Sequence, residues 1–274
     1  MVEVFPPFLS LAEPSGRLSL DEKVRKFIRD VERIKDYADL VLVASLKDPD
    51  LMTVPSTVAA SLLAGKAGVD AAPVLVARGS NRQEIASMVL GAYSLGLRTL
   101  MLAWGDRQQG EGPRSAHGFT SLSQVIAHAR KISRMARIRG RFLAPIDLAR
   151  LSTRKGVQLA RSRLDAGAAV LLAQPPTTDS GRTLDAHLAL LDSSGLRDSV
   201  LLSVFPFRDR DDVIRCEQNF GWRLPTSLKR RAATKGFTPI EEARVLVRRL
   251  RKEGLPGVYL SIRGNPEIAQ KVLG

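Results

Sequence analysis

With a single cysteine, Cys216, the chain can form no intramolecular disulfide and assemble no cysteine-based zinc site. A buried structural thiol is the role this predicts for Cys216. No apolar run approaches the roughly 18–20 residues that span a bilayer as a helix. The first residues also lack the basic and apolar regions of a secretory signal, so a cytoplasmic protein with no membrane partner is expected. The three histidines, His117, His128 and His187, show no metal-ligand spacing and are predicted at the surface, and no metal site is expected. There is no His-Glu-x-x-His, no Gly-x-Ser-x-Gly and no Cys-x-x-Cys. Neither a Walker-type phosphate loop nor a Gly-x-Gly-x-x-Gly opening a helix after the first strand is present, which argues against a doubly wound nucleotide fold. Aromatics are scarce, at 5%, and the basic residues form no tail, so a nucleic-acid partner is disfavoured.

What the chain has in excess is positive charge, a net +14 over 274 residues, with arginine outnumbering lysine by about three to one. Arginine suits bidentate contacts to carboxylates and phosphates, so an anionic small substrate is one reading and a surface rich in ion pairs is another. The clusters Lys229–Arg231 and Arg248–Lys252 fall in helical patterns, where a solvated face is the ordinary role. A hydrophobic content of 44% suffices for one large core, and the whole chain, 1–274, is expected to be a single domain.

Apolar, β-branched runs alternate with amphipathic helical patterns from end to end. Strands are predicted at 2–5, 38–44, 72–77, 99–104, 141–144, 169–173, 200–205 and 258–262. Helices are predicted near 21–37, 56–67, 81–95, 122–138, 154–165, 183–193, 211–220, 226–233, 239–253 and 266–273, with Gly96 capping the third. Eight strands, each followed by helix, predict an α/β fold: a (β/α)8 TIM barrel with an extra helix between strands seven and eight.

In such barrels chemistry sits where the strands end. Glu3, Asp106 and Gln174 are polar groups at the ends of strands one, four and six, placed to converge on one pocket. Glu3 stands among Val2, Val4 and Phe5 before two prolines. A carboxylate in apolar surroundings is costly to ionise, so its pKa should rise, as a general acid near neutral pH requires. The competing reading is a frayed terminus with Glu3 in water. Gly110-Glu111-Gly112, in the long loop after strand four, reads equally as a flexible lid or as a plain solvent loop.

These strand ends resemble the methylenetetrahydrofolate reductase family over nearly the whole chain. The matching stretches are Val2–Pro7, Arg78–Arg82 with Gly91–Tyr93 and Gly96–Arg98, Trp104-Gly105-Asp106, Leu164–Ala168 leading to Ala173-Gln174-Pro175, and Arg223-Leu224-Pro225. The resemblance implies reduction of 5,10-methylene-tetrahydrofolate, or a related methylene-pterin, to its 5-methyl form, a step of methionine biosynthesis. Glu3 would protonate folate N10 and Asp106 would adjust the electrostatics of the catalytic centre. Gln174 and Phe207 would contact the pterin, and Arg78, Gly105, Asp106 and Arg163 would hold the cofactor. FAD is the usual flavin of the family and NAD(P)H the hydride donor. The departures bear on the flavin: Val74 stands where FAD-binding members have histidine, Ala44 where they have threonine, and Gly156 near an expected aspartate. Phe142–Asp147 replaces a Tyr-Pro with a nearby histidine, and Arg163 replaces a lysine. Two hydride routes stay open, through flavin or directly from the nicotinamide. Two other functions also stay open: a pterin-binding barrel subunit without catalysis, in a homo-oligomer or hetero-complex, and a flavin barrel oxidising an amino acid such as proline.

Overall fold

Burial on both faces, expected of parallel strands wrapped by helices, is what the computed structural model shows. It describes residues 1–10, 18–45, 51–105, 118–178, 181–234, 236–262 and 264–274. Asp106, His117 and the glycine-flanked Glu111 lie outside the described residues. The strands among the described residues are β1 (Val2–Val4), β2 (Phe8–Ser10), β3 (Val41–Val43), β4 (Leu51–Thr53), β5 (Ala71–Val76), β6 (Thr99–Ala103), β7 (Arg141–Asp147), β8 (Ala168–Thr177), β9 (Val200–Val204) and β10 (Val258–Ser261). The α-helices among them are α1 (Leu20–Glu32), α2 (Ser56–Leu62), α3 (Arg82–Ser94), α4 (Leu122–Met135), α5 (Arg154–Ala166), α6 (Arg182–Ser194), α7 (Arg210–Phe220), α8 (Thr226–Ala232), α9 (Pro239–Lys252) and α10 (Pro266–Leu273).

Eight of the strands close a barrel in the order β1-β10-β9-β8-β7-β6-β5-β3, and every neighbouring pair in it is parallel. Alternate residues split between two cores. Val2, Val4, Val41, Val43, Leu171 and Leu202 face the helices and pack with Val31, Ile85, Val89, Val125 and Leu246. Leu42, Ala72, Met101, Leu143, Leu172 and Tyr259 face inward and fill the barrel, together with Met1, Val74, Val170 and Leu201. Each fully buried aliphatic side chain in these layers contributes about 1.5–3 kcal/mol.

The helices start and stop where their chemistry dictates. Capping boxes open α1 (Ser19 with Glu22) and α3 (Asn81 with Glu84). Gly167 closes α5 in the left-handed region, a conformation that costs other residues more.

The helices expected between the last two barrel strands are all present, as α7, α8 and α9. Several expectations are corrected. The segment 56–67 is not uniformly α-helical: it passes into a π turn over Leu63–Ala67. After β1 and β3 the chain makes a two-stranded antiparallel ribbon, β2 with β4, pairing Phe8 with Thr53 and Ser10 with Leu51. Three-residue strands carry too little alternation to be read from sequence. His128 and His187 are half-buried instead of surface residues, facing the Arg82 carbonyl at 2.9 Å and the Thr177 hydroxyl at 3.0 Å. The basic clusters are partly ion-paired across elements, Lys229 with Glu217 at 2.6 Å, Arg231 with Glu242 at 3.3 Å and Arg249 with Asp185 at 2.5 Å. Cys216 is buried, as expected, in a satellite cluster with Val213, Leu224 and Leu228. No helix among the described residues is long and apolar enough to cross a membrane.

Candidate active site at the barrel mouth

The Val-Glu-Val pattern of β1 decides the direction of Glu3. Val2 and Val4 face the helix layer, so Glu3 faces the barrel interior at the strand's C-terminal end. Its register partners are Leu42 on β3 and Ser261 on β10. The residue is half-buried, and burial of its carboxyl, the largest influence, raises the pKa. Hydrogen bonding from the Tyr259 and Ser261 hydroxyls opposes that rise. Tyr259 is 3% exposed, and its phenol is pushed well above the ordinary tyrosine range, first by burial and then by the charge of Glu3. Ser261 is 4% exposed, and its Oγ completes no well-aligned hydrogen bond among the described residues. The frayed-terminus reading of Glu3 is therefore overturned: β1 is paired on both sides, with Val2 N donating to Leu40 O and Ile262 N to Glu3 O.

Gln174 lies on the same face as Leu172, two residues further along β8, in register with Asp147 of β7. Here the β8–β9 ladder is irregular, its register shifting between Ala173 and Thr177. The Ser203 hydroxyl satisfies the Ala173 carbonyl at 2.6 Å across that break. Such irregularities re-aim side chains beside sites. Glu3 and Gln174 thus face inward from strands on different sides of one mouth.

Arg78 and Gly105 meet on the neighbouring wall. Past the end of β5 the backbone continues to pair with β6, Arg78 N donating to Trp104 O at 2.8 Å, and Arg78 Nε donates to Gly105 O at 3.0 Å. Gly105 has a φ of +93°, and a Cβ there would meet Val76 Cγ1 at 2.4 Å. No larger residue fits this approach of the two strands. Asp106, the next residue, lies outside the described residues.

The other two candidates sit elsewhere. Phe207 is 2% exposed and belongs to the satellite cluster beneath α7 and α8, its ring 4.8 Å from that of Phe205. The structure gives it a packing contact in place of a solvent-facing position at the mouth. Arg163, on α5, turns its Nη1 to the Pro145 carbonyl, and its Nε is buried without a partner among the described residues. Burial lowers its pKa, with the charge of Arg150 acting in the same direction.

These positions do not fit FAD as the resemblance implies it. Val74 packs with the apolar interior layer, and Ala44 is buried. At Gly156 a Cβ would stand 1.8 Å from the Arg150 carbonyl oxygen, so an aspartate there requires the backbone to move. Arg163 is committed to a strand carbonyl. Among the described residues no group of three or more histidine, cysteine or carboxylate side chains forms a metal cluster.

Sequence reasoning missed Tyr259 and Ser261. The signal was present in Val258-Tyr259-Leu260-Ser261, where polar and apolar residues alternate at a period of two. What could not be seen is the register, which sets Ser261 directly opposite Glu3.

No protein-family model and no curated protein sequence matches this chain. Among solved structures it is similar to a protein from Clostridium thermocellum described as binding two copies of 5-methyl-5,6,7,8-tetrahydrofolic acid. That alignment covers 100% of this chain and 93% of the other, at a TM-score of 0.64 and 10% identity. Oxaloacetate acetylhydrolase in complex with oxalate aligns with 98% of this chain over 76% of its own, at a TM-score of 0.55 and 14% identity. The Bombyx mori aldo-keto reductase in complex with NADP aligns with 99% of this chain over 82% of its own, at 0.52 and 13%. At such identities the likeness is one of fold, and the fold is the (β/α)8 barrel.

Proposed function

We propose that this barrel binds a reduced pterin and reduces 5,10-methylene-tetrahydrofolate, or a related methylene-pterin, to the 5-methyl form. The observation that carries the reading is the inward carboxyl of Glu3 at the barrel mouth, whose pKa burial raises, the direction of shift a general acid requires. Support comes from the Clostridium thermocellum barrel, which aligns over the full length of this chain and whose described ligand is the product of such a reduction.

In this mechanism Glu3 gives its proton to N10. The C–N10 bond of the imidazolidine ring breaks, leaving a 5-iminium cation and a carboxylate. A hydride, carrying two electrons, adds to the methylene carbon and yields the 5-methyl product, while the donor nicotinamide is oxidised to NAD(P)+. Hydride passes directly from NAD(P)H, because the residues at the expected FAD positions do not fit that cofactor. Gln174 hydrogen-bonds the pterin edge. The net charge of +14 favours approach of the anionic tail of a folate.

The test is turnover of methylene-tetrahydrofolate with NADH or NADPH, alongside binding of 5-methyl-tetrahydrofolate. Wild-type protein should turn over, and Glu3→Gln should lose about 10²–10⁴-fold in kcat while still binding the product. Turnover unchanged in that variant sinks the acid assignment. The missing FAD contacts favour a second reading, a pterin-binding barrel without catalysis. Binding with no turnover by the wild type would support it, and oxidation of proline with no folate binding would replace both.

A further inference from the structure

A tyrosine hydroxyl buried in an apolar interior needs a polar partner. Tyr259 lies in the interior layer with Leu42, Leu143 and Leu172, one layer deeper than Glu3, and its hydroxyl finds the Glu3 carboxyl above it. Ser261 stands directly beside Glu3 in the β1–β10 register, with its Oγ buried and lacking a well-aligned partner among the described residues. The β3 neighbour of Glu3, Leu42, is apolar, and no charged side chain among the described residues acts on the carboxyl.

We propose that Tyr259 is a positioning residue that fixes the Glu3 carboxyl with its acidic proton directed out of the barrel, and that Ser261 Oγ is a second donor, taken up by the carboxylate once that proton leaves. This rests on the reading of Glu3 as an acid. The phenol stays protonated and donates to one carboxyl oxygen, so the proton of the acid resides on the other. Because Tyr259 approaches from the deeper layer, that second oxygen faces the mouth. When the proton leaves, the O–H bond of Glu3 breaks, its electron pair stays on the carboxylate, and the new bond forms to the substrate nitrogen. Both hydroxyls then donate to the carboxylate, so each makes Glu3 a stronger acid than burial alone allows.

The experiment is carboxyl ¹³C NMR titration of glutamate-labelled protein, with the Glu3 resonance assigned by its absence in Glu3→Gln. The wild-type midpoint is expected above the ordinary glutamate range, and both Tyr259→Phe and Ser261→Ala are expected to move it higher. In turnover, Tyr259→Phe should lower kcat about tenfold with KM little changed, and shift the alkaline limb of the pH profile upward. Ser261→Ala should likewise lower kcat, by up to about tenfold, with KM little changed. Midpoints that stay at the wild-type value in both variants overturn the inference, as does an ordinary midpoint in the wild type. Shifted midpoints in a protein that never reduces a methylene-pterin leave the inference standing and remove the proposed reaction. If Tyr259→Phe does not fold, the Ser261→Ala midpoint decides.

Discussion

Below the level of Glu3 the inside of the barrel is filled by Leu42, Ala72, Met101, Leu143 and Leu172. One step further along the same inward faces stand Glu3, Ser261, Ser203 and Gln174. The strands are continuous across this line, and only the residue types change. In the deeper layer, dispersion and burial act without direction, and any well-fitting apolar group serves. At the mouth, each polar group has a cost that must be offset by a partner, and some partners are missing. Ser261 Oγ has no well-aligned one among the described residues, and Glu3 is desolvated beyond what its two hydroxyl neighbours compensate. A stable floor beneath an incompletely satisfied mouth is how a (β/α)8 barrel separates holding the fold from acting on a ligand.

That contrast can be broken from below first. Leu172→Ala, in a fully buried position, should cost about 2–5 kcal/mol in urea denaturation, with ligand binding lost only in proportion to unfolding. A Gly156→Asp change tests the flavin corner. It should destabilise by about 1–3 kcal/mol, because the Cβ meets the Arg150 carbonyl, and should bring no flavin absorbance on titration with FAD.

The mouth should respond with the opposite sign. The folded-state pKa of Glu3 lies above its unfolded value. Its contribution to stability is therefore fully present below the unfolded pKa and is lost as pH rises through the folded one. Glu3→Gln should match the wild type in acid and melt a few degrees higher above that window, which thermal melts across pH will show. A mutation that removes activity and raises stability is the sharpest statement of the contrast. The smallest effect is expected for Gln174→Leu, which should weaken 5-methyl-tetrahydrofolate binding about tenfold in calorimetry and leave the melting temperature unchanged.

Most of the architecture was legible because it rests on local pattern. Every predicted barrel strand and helix is present, with ends moved by a few residues, since burial on one or both faces leaves periods of 2 and 3.6 in the chain. The β2–β4 ribbon was not legible, being stabilised by a partner more than forty residues away and not by its own composition. The site was legible in part. Glu3 and Gln174 stand out as polar residues closing apolar runs, and both face the mouth. Phe207 stood at a strand end by the same logic, yet the helices α7 and α8 fold over it. Arg163 has the charge for a phosphate contact, but the strand carbonyl of Pro145 takes it.

By itself, then, the sequence determined the alternation of strands and helices, the barrel class, the inward direction of Glu3 within Val-Glu-Val, and the burial of Cys216. Only the tertiary structure decided which groups surround that carboxyl. Tyr259 and Ser261 are more than 250 residues away along the chain and become its neighbours when β10 pairs with β1 to close the barrel. A residue's direction from its strand is set by its own backbone, but its pKa is set by whatever closure brings within hydrogen-bonding distance.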